Sequence, residues 1–245
     1  MQTDFKILSL LLAYPEAELQ KSGPALKVTL NETSSLDATY RDRVAALIDH
    51  IASHDLFDVQ EDYVTLFDRT RSLSLHLFEH VHGESRDRGQ AMVDLKTMYE
   101  EAGYETGTNE LPDYLPMFLE FLSTRTIDEA RESLGDVLHI ITAIHERLEK
   151  RSSPFAHAFA ALISLTSEQP DEALVRELLK QEEDDPNDLA ALDRIWEEEA
   201  VTFGGNAGEN SCGSDRLRIR LRAAVRNVSP PQTQTVDLDN SKSTV

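Results

Sequence analysis

The sequence predicts an all-α protein, a single globular multi-helix bundle. Three observations carry this. Apolar residues recur at helical spacing along most of the chain. Proline and glycine breakers sit between those stripes. No run of alternating β-branched residues occurs before residue 200, so nothing reads as a strand.

The stripes can be taken in order. Tyr40, Val44, Leu47, Ile48 and Ile51 fall at i, i+4, i+7, i+8 and i+11, one face of a helix. Val59, Tyr63, Leu66 and Phe67 repeat the spacing, and Asp55 is placed to cap that helix. Ser85 is placed to cap another. Leu115, Phe118, Leu119 and Leu122 make another stripe, with Pro116 at its start, where a missing N–H costs little. The longest stripe runs through Ile127, Ala130, Leu134, Val137, Leu138, Ile141 and Leu148. Phe155, Phe159, Leu162 and Ile163 make another, and Leu192, Ile195, Trp196 and Phe203 the last. The breakers are Pro15, Gly23–Pro24, Gly83, Gly103, Gly107, Pro112, Pro154, Pro170 and Pro186. About eight or more helices around one core are expected. The helical domain spans residues 1–203. Residues 204–245 read as a glycine-rich loop, an arginine segment and a disordered tail rich in Pro, Gln, Ser and Thr.

Composition narrows the function. Of 245 residues, 24 are Lys or Arg and 45 are Asp or Glu, giving a net charge of −21. So acidic a chain repels nucleic acid and anionic membrane surfaces; a basic partner is one reading of the charge, and solubility alone is the other. Cys212 is the single cysteine, so neither an internal disulfide nor a cysteine-built zinc site is available. Leu10–Leu11–Leu12–Ala13 is too short for a signal or membrane segment, and a cytoplasmic protein is expected. The charge is uneven. Residues 182–199 hold nine acidic residues and one arginine, whereas 216–226 hold five arginines, Arg216, Arg218, Arg220, Arg222 and Arg226. That segment reads as a flexible basic tail, or as a stand-in for a basic partner that folds onto an acidic surface of its own chain.

The densest polar cluster is LFEHVHGESRDRGQAMVDL, residues 77–95, preceded by His76. His76 and His80 are four apart and on one helix would share a face, as a metal pair must. A hydrolase site of His76, His80, His82 and nearby carboxylates is one reading. Half-buried polar groups that tie helices together are a second, and a peptide-recognition surface a third. The spacing is not His-Glu-x-x-His, and no nucleophile elbow, P-loop or dinucleotide turn appears. In ELPDYLP, residues 110–116, two prolines fix the chain around Asp113 and Tyr114. A carboxylate held there can cap the following helix or receive a cation.

These strings, with YVTLFDR at 63–69, LLLAYPEAEL at 10–19 and IWEEEAVTF at 195–203, resemble the NarJ/TorD family of redox-enzyme maturation chaperones, specifically its nitrate reductase branch. The resemblance runs from about residue 5 to 203. One departure is Asp113–Tyr114 where the family usually carries Asp-His. The resemblance implies a helical bundle of the TorD-like type with no enzymatic turnover and no stably bound cofactor. It implies binding to the apo catalytic subunit of respiratory nitrate reductase, including that subunit's N-terminal segment. The chaperone would assist insertion of the molybdenum bis-guanine-dinucleotide cofactor before membrane anchoring, and would not stay in the final enzyme. Cofactor-biosynthesis proteins are further implied partners. A chaperone for another molybdoenzyme is the alternative. The expected peptide-binding residues are Tyr63, Leu66, Phe67, Asp68, Glu79, His80, His82, Glu84, Arg86, Asp87, Arg88, Glu110, Asp113 and Tyr114. The aromatic residues would border or support a groove and the acidic ones would steer a basic helix.

Overall fold

A computed structural model describes residues 1–82, 86–106 and 110–181. The expected stripe 192–203, Ser85 and everything beyond Gln181 lie outside the described residues. Within them the chain forms eleven α-helices and no strand.

Helix α1 (Gln2–Leu12) buries Phe5, Ile7, Leu8, Leu11 and Leu12. Its main neighbour is α7 (Leu115–Ser123), in which seven residues from Leu115 to Leu122 are buried. A helix this apolar on all sides must sit inside the core. At about 2 kcal/mol per buried large aliphatic or aromatic side chain, α7 is a principal source of cohesion. Pro116 stands in its first turn, as its missing N–H requires. Asp55 caps α4 (Leu56–Tyr63) by accepting from the Phe57 N–H. α9 (Leu138–Lys150), α10 (Ala156–Ser164) and α3 (Ala38–Ser53) close the other side. One apolar cluster runs from Phe5 to Leu178.

Three elements depart from the sequence reading. Gly23 and Pro24 do not break the chain; both lie inside α2 (Ala17–Thr33). A Cβ on Gly23 would fall 2.8 Å from the Ala52 Cβ, so glycine lets α2 approach α3 closely. That packing outweighs the hydrogen bond that Pro24 cannot make. The long stripe 127–148 is two helices, α8 (Ile127–Asp136) and α9, parted at Val137 with φ −104° and ψ 5°. Val137 and Leu138 are both buried, so the apolar pattern runs on through the break. The stripe 59–67 changes pitch. Residues Val64–Asp68 form a π-helical turn, with the Arg69 N–H donating to the Val64 carbonyl at 3.0 Å. The extra residue keeps Tyr63 and Phe67 in the core and turns Leu66 half outward.

α6 (Arg86–Glu101) ends at Gly103, whose φ of +72° only glycine adopts without strain. The reversal brings the Tyr104 N–H onto the Tyr99 carbonyl at 2.8 Å and folds Tyr104 back over the bundle. α11 (Glu172–Lys180) is tied down by Arg147, which is fully buried. Its guanidinium donates to the carbonyls of Ser72 at 2.7 Å and Leu178 at 2.6 Å.

Candidate functional site

The site begins with a short backbone pairing. His76 and Tyr114 face each other in an antiparallel bridge. The Leu77 N–H donates to the Asp113 carbonyl at 3.0 Å, and the Leu115 N–H to the Leu75 carbonyl at 2.8 Å. This joins the 77–95 block to the start of α7.

Asp113 is fully buried at that junction. Its carboxylate accepts from the Phe78 N–H at 3.0 Å and meets His76 Nδ1 at 3.2 Å. The capping expectation is therefore corrected in its target. Asp113 does not cap α7, whose N-cap Tyr114 makes no side-chain bond. It satisfies a backbone donor at the start of α5 (Glu79–His82), 35 residues upstream. Nor is it a rim charge, because no water reaches it. The hydrogen bond to Asp113 holds the His76 pKa above its ordinary value, against the opposing pull of burial.

The reading in which His76 and His80 share one helix face is also corrected. His76 lies ahead of the helix, in the bridge, and His80 lies inside α5. His80 is buried, with Nε2 at 2.8 Å from the Ser74 carbonyl, and burial lowers its pKa. Each imidazole thus serves a different protein partner. Among the described residues no group of three or more His, Cys, Asp or Glu is arranged to hold a metal. Glu79 pairs with Arg88 at 3.1 Å. Burial works against its charge, but the Ser74 hydroxyl and Arg88 together hold its pKa below the ordinary value. Glu84 lies outside the described residues, as do the side chains of His82, Arg86 and Asp87.

From this junction a hydrogen-bond chain leads to α1. The hydroxyls of Tyr114 and Tyr63 lie 2.9 Å apart, and the Tyr63 hydroxyl donates to the Leu12 carbonyl at 2.9 Å. With that hydrogen committed, Tyr114 is the donor to Tyr63. Tyr114 thus acts as a neutral relay. The Tyr63 pKa is pushed far up by burial. Tyr63 also packs edge-on against Tyr14, Phe67 and Phe155. Asp68, at the end of the π turn, is raised in pKa by burial, with His76 partly offsetting this.

Above this framework lies a groove of about 590 Å³ between α1, α2 and the start of α7. Its apolar lining includes Leu10, Leu19, Leu26, Pro116 and Met117, with Tyr14, Tyr104 and Tyr114 beside them. Glu16, Glu18, Glu110 and Glu120 add four carboxylates, with no Lys or Arg among the described lining residues. Glu120 pairs with Lys6, and Glu18 loosely with Lys21 at 3.9 Å. Glu16 and Glu110 have no ion-pair partner among the described residues. Burial and Glu120 push Tyr104 up to about 12.

Of the expected site residues, Tyr114 and Glu110 line this groove, and Tyr63 and Asp113 support it from below. Phe67 is core. Leu66 faces a separate cavity of about 260 Å³ beside His50, Asp62 and Arg151. The sequence reading missed Tyr14, Glu16, Tyr104, Met117 and Glu120. Tyr14 and Glu16 stand within LLLAYPEAEL, so a signal was present for them. Tyr104 and Glu120 reach the groove only through the Gly103 reversal and the α1–α7 packing.

Fold and site together define a helical bundle with an apolar-lined groove edged by carboxylates. The family follows from comparison with known proteins. Residues 33–161 match the family model described as nitrate reductase delta subunit, and the chain belongs to that family. It is 38% identical over 224 residues to the nitrate reductase molybdenum cofactor assembly chaperone NarJ of Escherichia coli K12, covering 91% of this chain and 93% of that protein. It is 38% identical over 237 residues to the probable assembly chaperone NarW of the same strain, covering 95% and 96%. It is 31% identical over 163 residues to the probable NarJ of Bacillus subtilis 168, covering 66% and 88%. The coverage against NarW means that the similarity extends past residue 203, further than the sequence strings indicate.

Proposed function

We propose that this chain is a maturation chaperone for nitrate reductase that binds the apo catalytic subunit, including its N-terminal segment, and assists molybdenum cofactor insertion. It then leaves, so that the subunit reaches its membrane anchor without it. The relatives named as molybdenum cofactor assembly chaperones support the role. The groove is the observation that carries the recognition step: it offers apolar anchors for one helix face and carboxylates for basic residues. The chain contributes no chemical step of its own, and the molybdenum cofactor is cargo for the partner. A cytoplasmic site of action suits a factor that meets the subunit before anchoring. Among the described residues no helix is long and apolar enough to cross a membrane.

The experiment is calorimetry of the full chain with a synthetic peptide of the catalytic subunit's N-terminal segment. Wild type should bind, and Leu19→Arg should weaken binding about tenfold or more by placing charge on the groove's apolar surface. Unchanged affinity would move the recognition site elsewhere. Cells lacking the chain should accumulate nitrate reductase with a low molybdenum content. Full loading in those cells would sink the maturation role.

A further inference from the structure

We infer that the groove is occupied, in the free protein, by the chain's own arginine segment 216–226, which the partner's N-terminal segment must displace. The inference rests on the groove reading above and adds its regulation. The segment lies outside the described residues; the argument comes from the groove and from the sequence.

The first observation is charge. The described lining of the groove holds four carboxylates and no Lys or Arg, and Glu16 and Glu110 have no ion-pair partner among the described residues. Two exposed anionic groups beside apolar surface form a site for a cationic amphipathic ligand. The second is composition. RLRIRLRAAVR, residues 216–226, carries five of the chain's 24 basic residues in eleven positions, interleaved with Leu217, Ile219, Leu221 and Val225. A net charge of −21 makes so dense a basic run exceptional in this chain, and gives it apolar side chains to match an apolar-lined groove.

The third observation is reach. The described chain stops at Gln181, just past α11, whose last turn Arg147 fixes to the body. From 181 to 216 is 35 residues, a span of up to about 115 Å, so no point on a molecule of this size is out of reach. Tethering raises the local concentration of the segment to about millimolar, so a weak intrinsic affinity suffices for substantial occupancy. An intramolecular occupant of this kind lowers apparent partner affinity by the fraction of time the groove is closed. It would also cover exposed apolar surface between rounds of binding.

Cys212, the single cysteine, stands four residues before Arg216 and allows a direct test on the full chain. A nitroxide attached at Cys212 should broaden amide signals of Tyr104, Met117 and Glu120 by paramagnetic relaxation. A full-length variant with Arg216, Arg218, Arg220, Arg222 and Arg226 each changed to Gln should lose that broadening. The same variant should bind the partner peptide about threefold more tightly. No broadening at the groove, or broadening confined to another surface, overturns the inference. So does broadening in isotope-labelled, unmodified chain mixed with nitroxide-bearing unlabelled chain, because the occupant is then a second copy. Adding the partner peptide separates the two readings. Broadening at the groove that the peptide relieves supports both. Broadening that persists while the peptide binds overturns the displacement, since the peptide then binds with the tail still seated, and it removes the groove as the partner site.

Discussion

Asp113 shows how one buried residue joins backbone and titration. It accepts from the Phe78 N–H and holds His76, and the ionic part of the His76 pairing contributes stability while the imidazole is charged. The His76 pKa is raised in the fold, so this contribution is full below the unfolded value of about 6.5. It is lost as pH rises through the folded value. His139 runs the other way. Burial lowers its pKa to about 4, so its contribution is present above about 6.5 and lost as pH falls towards 4. Comparing wild type with Asp113→Asn cancels His139 and isolates His76. In urea denaturation the wild-type advantage over Asp113→Asn should be larger at pH 5.5 than at pH 8.5. Equal gaps at both values would show that His76 does not titrate against Asp113. The tyrosine relay gives a second expectation. Tyr63→Phe leaves the buried Leu12 carbonyl without its donor and should cost about 1–2 kcal/mol of unfolding free energy. Tyr114→Phe leaves the Tyr63–Leu12 bond in place and should cost less. The reverse order in thermal or urea unfolding would contradict the proton assignment.

Among the elements, α2 carries the sharpest expectation, because its composition argues against it. Gly23 and Pro24 together mark a break by local rules, and the helix runs through them because its surface must meet α3 at short range. In an open helix Gly→Ala gains about 1 kcal/mol. At Gly23 the added methyl meets the Ala52 Cβ at 2.8 Å, so Gly23→Ala should instead destabilise by about 1–3 kcal/mol. Ala52→Gly in the same chain should recover part of that loss, and a double-mutant cycle by urea denaturation measures the coupling. Additive costs would mean that the two positions do not meet. The stripes at 40–51, 115–122 and 155–163 were legible in the sequence because their apolar residues recur at helical spacing without a change of pitch. The break at Val137 was not, since both flanking residues are buried and the apolar spacing continues across it. The π turn at 64–68 was hidden for a related reason. Tyr63 and Phe67 keep their spacing of four, and only Leu66 betrays the inserted residue by turning outward. Arg147 was invisible too, because its partners are carbonyls from distant segments and no pattern of side chains announces them.

At the scale of the whole molecule, net charge says what the protein avoids, and its placement says what it attracts. The acidity and the 77–95 block were readable from residues alone. The groove was not, because its carboxylates come from the start of α2, a loop and α7, and only packing assembles them. Charge spread over a surface mainly keeps a protein soluble. Charge gathered at an apolar groove also steers encounter, an effect that salt removes as the screening length falls from about 10 Å at 0.1 M to about 3 Å at 1 M. The apolar contacts that form after docking do not depend on screening in the same way, so the two phases of binding should separate in kinetics. In stopped-flow mixing with the partner's N-terminal peptide, raising salt from about 0.05 to 0.5 M should lower the association rate about tenfold and leave dissociation nearly unchanged. Glu16→Gln with Glu110→Gln should flatten that salt dependence, since these two carboxylates have no cation beside them among the described residues. A single-sign change elsewhere, such as Asp128→Asn at the exposed start of α8, should leave the dependence intact. An association rate indifferent to salt in wild type would mean that the acidic rim serves solubility, with recognition resting on the apolar lining alone.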